Sequence, residues 1–266
     1  MKHSIFTDPF LLARQNNTIH IVEDQNDSAQ LVLGLKDVRK CAHNWQTFQS
    51  AATPGRIVVP SEVNIRTTRQ IPFELDPPEH KSYRDLIEPW FKRPLEADYQ
   101  AKLAGLVKQA FGGIDNEQTI DVVSNFALPL QSRALTLLLN TDISEADTWI
   151  DWGTHVFRSE HSALDAQKAD ILYDYIDAQI DQRLQSTSAE FHGDLYAVLL
   201  NSHINGRLMT KEEVKGVMIL TFAGGRDTVI NMLTNSMAYF AEHPLALSAL
   251  KDDEQAIARA VEELVG

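Results

Sequence analysis

The stretch Phe222-Ala223-Gly224-Gly225-Arg226-Asp227-Thr228 lies in the middle of a long helical pattern, and its reading decides the fold. Upstream, Thr210 followed by Lys211-Glu212-Glu213 has the form of a capping box, and Val214 to Phe222 is apolar around most of a helix's circumference, as a buried helix should be. Downstream the helical spacing resumes with Val229, Ile230, Met232 and Leu233. Each glycine costs about 1 kcal/mol in a helix interior relative to alanine. An acid beside a threonine is expensive to bury without partners. Something must compensate. Glycines open a groove in which another body can approach the backbone, and a hydroxyl beside an acid offers a relay of hydrogen bonds. A kink without function is one alternative. An anion-binding glycine loop is another, weakened by the helical rather than strand-like sequence before the glycines and by the lack of a following Gly-Lys-Ser/Thr.

A second stretch, Asp76-Pro77-Pro78-Glu79-His80-Lys81-Ser82-Tyr83-Arg84, reads as a strong helix start. Asp76 can cap it, the prolines fill first-turn positions whose amide hydrogens would be orphaned anyway, and Glu79 completes a capping-box-like arrangement. His80 and Arg84 stand four residues apart and project from one face, both donors and both able to carry positive charge. Such a pair suits an anion. The plainer alternative is a solvated pair with Asp85 or Glu88 for neighbours.

Outward from these stretches, Thr18 to Val22 and Gln30 to Leu33 flank a turn-rich Glu23 to Ser28 and can pair as a small antiparallel sheet. From about Ser82 onward helical patterns dominate, with breaks at Arg93-Pro94, Gly112-Gly113, Asn140 to Ser144, Ser186 to Gly193, Asn205-Gly206 and His243-Pro244. No internal repeat or linker is visible. The expected architecture is a mainly α single domain over residues 1–266 with a small N-terminal β element.

Composition bounds the function. The 266 residues are 44% hydrophobic and 23% charged, which suits a folded globular chain rather than a disordered one. A net charge of −13 would repel a phosphate backbone, so nucleic acid is not an expected partner. No apolar run reaches the length of a membrane span, and the N-terminus lacks a signal-peptide core. A single cysteine, Cys41, excludes an internal disulfide, so the expected compartment is cytoplasmic. Acids dominate from Asp142 to Asp194, whereas Lys81, Arg84, Lys92, Arg93, Lys102 and Lys108 tip the preceding region to basic. That region is either an ordinary solvated face or a weakly basic docking surface.

Taken in their order and spacing, these segments resemble the soluble bacterial cytochrome P-450 family of haem-thiolate monooxygenases. Asp76-Pro77-Pro78-Glu79-His80, with Arg84 and Phe91, looks like that family's C helix, and Ala223 to Thr228 looks like its central I helix. Softer matches are Thr47-Phe48, Asp194-Leu195, Gly206 to Thr210 and His243-Pro244. The resemblance implies a cytochrome P-450 fold and haem b as cofactor. It implies His80 and Arg84 on the haem propionates, and Ala223, Gly224 and Gly225 facing the distal side of the cofactor. Asp227 and Thr228 would be the proton relay, and Phe222 would form part of the substrate face. A small hydrophobic substrate and a ferredoxin or flavodoxin-like electron donor are the implied partners, the donor meeting the basic stretch around Lys81, Lys92 and Arg93. Phe48, Ile57, Val58, Val59, Phe157 and Phe222 could line an apolar pocket, or could be core.

The departure from the family lies at the C-terminal end. Val261-Glu262-Glu263-Leu264-Val265-Gly266 resembles the start of the K-helix Glu-x-x-Arg motif, with Gly266 where the arginine should stand. The resemblance thus covers the family's N-terminal two thirds and lacks the loop that carries the cysteine ligand. Cys41 precedes the propionate-binding segment and does not substitute for that ligand. None of His155, His161, His192 and His203 matches a family metal position, and no metal ligand is assigned. A haem-free helical protein of the same fold that binds a partner or a small ligand is the alternative function.

Overall fold

The structure, a computed structural model, describes residues 8, 10–24, 27–51, 60–114, 119–158, 165–186, 193–251 and 253–265. Ile57, Val58, Val59, His161, His192 and Gly266, each given a role or considered for one above, lie outside the described residues. The chain divides into two compact units, residues 1–84 and 85–266.

In the first unit, α1 (Leu11–Asn16) leads into an antiparallel hairpin of β1 (Ile19–Asp24) and β2 (Asp27–Val32), with Ile19 opposite Val32 and Asp24 opposite Asp27. Ile19, Ile21 and Val22 of this hairpin stay largely exposed. The chain then turns at Gly34 into α2 (Leu35–His43), where the Thr18 hydroxyl donates to Asp37 Oδ2 at 2.8 Å. A Cβ at Gly34 would stand 2.8 Å from the Thr18 side chain, so only glycine fits there. Glu74 is fully buried but not alone: it accepts from the Gln70 amide at 2.8 Å and from Arg66, which also pairs with Glu62. Asp76 departs from the expected cap. Its carboxylate accepts from the amides of Ser50 and Ala51, at 3.0 and 2.9 Å, and α3 (Glu79–Phe91) starts after the two prolines without it.

The second unit is helical. Helices α4 (Ala97–Gly112), α5 (Leu128–Leu139), α6 (Glu145–Asp151), α7 (Ala166–Gln185) and α8 (Leu195–Leu200) precede α9 (Lys211–Gly225) and α10 (Asp227–Glu242), with α11 (Pro244–Ala249) and α12 (Glu254–Val265) last. One π-helical stretch, Val123–Ala127, runs directly into α5. Asn140 ends α5 in a left-handed conformation, and Asp194 caps α8 while its carboxylate pairs with the buried Arg183. The break at Asn205-Gly206 is the turn of a hairpin, β3 (His203–Ile204) with β4 (Arg207–Leu208), both turn residues having positive φ. One core joins Phe126, Ala127, Leu128 and Leu130 to Ile230 of α10, with Leu106, Ile150 and Leu233 packed around it. Val214, Val217, Met218 and Ile219 bury α9 on several sides, as its nearly uniform apolar sequence requires.

Among the described residues, no helix is long and apolar enough to cross a membrane.

Candidate functional site

The capping box expected before the central helix is formed: Glu213 N donates to the Thr210 hydroxyl at 3.2 Å and Thr210 N donates to Glu213 Oε2 at 2.7 Å. Arg207 clamps the same carboxylate, so the start of α9 is fixed from two directions. Fifteen residues later the helix stops. Arg226 leaves helical geometry, with φ −106° and ψ −77°, and α10 begins at Asp227. The carbonyls of both glycines accept side-chain donors. Thr228 Oγ1 donates to Gly224 O at 2.5 Å, and Gln131 Nε2 donates to Gly225 O at 2.8 Å.

The glycines differ in their surroundings. A Cβ added at Gly224 would meet nothing within 4 Å, whereas at Gly225 it would rest 3.7 Å from Leu135. Gly224 therefore leaves the backbone bare toward open space, as a groove for a bound body requires. Phe222, one turn before the break, is fully buried. It packs edge-on to Trp149 and Tyr175, with ring centroids at 5.1 and 6.0 Å, and against Trp152 at 6.0 Å. Burial also pushes the Tyr175 hydroxyl well above the usual phenol range, and its hydrogen bond to Glu145 acts in the same direction.

Two side chains at the break turn inward. Arg226 is 0% exposed, donates to the carbonyls of Trp149 and Gly153, and has no partner for Nε or Nη1 among the described residues. Burial lowers its pKa to about 10, while the neighbouring Asp227 opposes that shift. Asp227 Oδ2 lies 2.7 Å from His155 Nδ1, and Asp227 Oδ1 is buried without a hydrogen-bond partner. Neither Arg226 as a core residue nor His155 as a partner is visible in the sequence. The break alone marks Arg226, and His155 stands 72 positions away.

In α3, His80 is half-buried and Arg84 is exposed, four residues apart, and neither side chain carries a hydrogen bond or ion pair among the described residues. They are two free donors one helical turn apart. The basic stretch beside them is less free. Lys92 pairs with Glu88 at 3.0 Å, and Arg93 lies over the Trp90 ring while donating to Leu138 O at 3.1 Å. Cys41 is half-buried in α2, and no group of three or more His, Cys, Asp or Glu among the described residues could hold a metal ion.

No protein-family model matches the chain. It is 28% identical over 240 residues to Probable cytochrome P-450 127A1 of Sinorhizobium fredii, across 88% of this chain and 55% of that protein. It is 22% identical over 195 residues to Cytochrome P-450 109 of Bacillus spizizenii, across 71% of this chain and 48% of that protein. The chain thus spans about half the length of these curated relatives. Among solved structures, one described as a carbohydrate active P-450 superposes with a TM-score of 0.89 at 58% identity, across 97% of this chain and 66% of that one. The bottromycin biosynthetic protein SalCYP shares the fold at a TM-score of 0.75 and 16% identity, across 98% of this chain and 64% of its own.

Proposed function

The chain belongs to the cytochrome P-450 family, and from that membership we propose that it forms the distal and propionate-binding part of a haem-dependent monooxygenase. The residues present suit that cofactor. His80 and Arg84 offer donors that no described residue engages and that can hold carboxylates, and Gly224 leaves backbone exposed where a flat macrocycle could lie. Haem, when bound, supplies the oxidation of substrate by dioxygen. The protein's own work is to hold, orient and deliver protons.

The observation that carries the proposal is the helix break itself. Gly224 presents bare backbone, Thr228 Oγ1 is fixed on the Gly224 carbonyl, and Asp227, just past the break, is an acid with one carboxylate oxygen unpartnered among the described residues. In this reading Asp227 accepts and releases protons at Oδ1, and the Thr228 hydroxyl passes them toward the groove. Phe222, enclosed among Trp149, Trp152 and Tyr175, shapes the pocket from behind. Electrons come from a separate redox protein of the ferredoxin or flavodoxin kind. Lys92 and Arg93 are engaged within the chain, so Lys102 and Lys108 are the better candidates for a basic docking face.

For the substrate, the 58% likeness to a carbohydrate active P-450 supports a sugar-derived molecule in place of the small hydrophobic one expected from the resemblance. The test uses a complete, haem-loaded version of the protein, a reductant and a redox partner, with oligosaccharides and apolar compounds offered in parallel. A sugar product carrying oxygen from dioxygen, read by mass spectrometry, is the expected result. Oxidation of apolar compounds alone would overturn the substrate class. Protein that takes up no haem would overturn the enzyme reading in favour of a haem-free binding protein.

A further inference from the structure

The acid of the break does not hang free. Asp227 Oδ2 is held by His155 Nδ1 at 2.7 Å, and a carboxylate can only accept, so the imidazole nitrogen donates. His155 sits in the segment after α6, and the break fastens that same segment from a second point. The Arg226 guanidinium donates to Trp149 O and Gly153 O, two to six residues before His155. On the far side, Lys168 of α7 donates to Trp152 O at 2.9 Å. Gly153 takes the sharp turn between these anchors with φ +77°, a conformation that suits glycine. Two consecutive residues of the break, Arg226 and Asp227, thus clasp one loop and aim its histidine.

The imidazole also reaches outward. Its side chain is 24% exposed, and it lines a cavity of about 160 Å³ with Asp151, Trp152, Lys168 and Leu172. The Asp227 side chain is 28% exposed, while its Oδ1 is buried with no hydrogen-bond partner among the described residues. The charged groups around the pair are Arg226 beside the carboxylate, and Lys168 and Asp151 across the cavity. One ring therefore touches both the cavity and the acid.

We infer that His155 is a positioning residue for Asp227: it pins Oδ2 so that Oδ1 stays turned to the break, and it links that acid to the cavity beside α7. This rests on the haem reading above. It adds a residue outside the glycine-acid-alcohol motif, on another element, that governs how the acid works.

Two measurements test it. In the 266-residue chain labelled with nitrogen-15 at histidine, the His155 ring should show a slowly exchanging proton on Nδ1 that is lost in Asp227→Ala. A ring protonated on Nε2 alone and unmoved by Asp227→Ala would overturn the inference. In haem-loaded protein, His155→Leu should lower product formed per oxygen consumed by about tenfold and alter its pH profile with little change in KM. His155→Asn, which restores an N–H near the same place, should recover much of the yield without the wild-type pH profile. An active wild type whose His155→Leu variant keeps both yield and profile would overturn the role of His155 and leave the haem reading standing. A wild type that never binds haem would overturn the haem reading and the role of His155 together.

Discussion

Thr228 and Asp227 are neighbours in sequence, yet the structure gives them opposite surroundings. The hydroxyl is exposed and tied to Gly224 O, while the carboxylate is directed to His155. Their roles should therefore separate. In a complete, haem-loaded version of the protein, Thr228→Ala is expected to raise peroxide at the expense of product, and Asp227→Asn to slow turnover by about 10². Oxygen uptake, peroxide and product measured together check this, and wild-type values in both variants would remove the relay assignment. Arg226 belongs to stability rather than chemistry. Arg226→Ala strands the carbonyls of Trp149 and Gly153 and opens space beside Trp152, which should cost about 2–4 kcal/mol in chemical denaturation. A loss below about 0.5 kcal/mol, the size of an ordinary surface change, would contradict that assignment.

At the scale of the element, the start of α9 rests on the reciprocal bonds of Thr210 and Glu213, so Thr210→Ala should destabilise the chain by about 1 kcal/mol, read as a shift in thermal midpoint. The His80 and Arg84 pair of α3 behaves differently. His80→Ala with Arg84→Ala should leave helix content unchanged, because neither side chain has a partner to lose, while haem dissociates faster. Circular dichroism and haem transfer to an acceptor protein measure the two effects, and an unchanged dissociation rate would remove the clamp. These elements also mark what was legible in the sequence. The capping box, the β1–β2 hairpin and the interruption just after Gly224-Gly225 were readable because each depends on residues within a few positions of one another. Asp76 was misread because a carboxylate suits any turn with free amides, and the tertiary fold gave it those of Ser50 and Ala51. His155 was out of reach for the same reason. A pair 72 residues apart leaves no periodic trace.

The whole molecule is acidic, and its described helices include faces with exposed apolar side chains, Ile257, Val261 and Val265 on α12 and Leu245 and Leu247 on α11. The chain matches 97% of its own length to a structure of which it spans 66%. Cys41, the one cysteine, lies in α2 and outside the motifs assigned to haem. Reduced under carbon monoxide, the haem-loaded 266-residue chain should therefore give no thiolate-type absorption band, and the appearance of that band with no second chain present would make Cys41 the ligand. The central claim is that the bare backbone at Gly224 faces the cofactor, and a haem titration followed by visible absorption tests it most directly. Wild-type chain should give a saturable spectral change, weak for want of a strong axial bond, and Gly224→Leu, whose added Cβ meets nothing within 4 Å, should keep the fold but lose at least about tenfold in affinity. Equal titrations of the two folded proteins, or no saturable change in the wild type, would contradict the account.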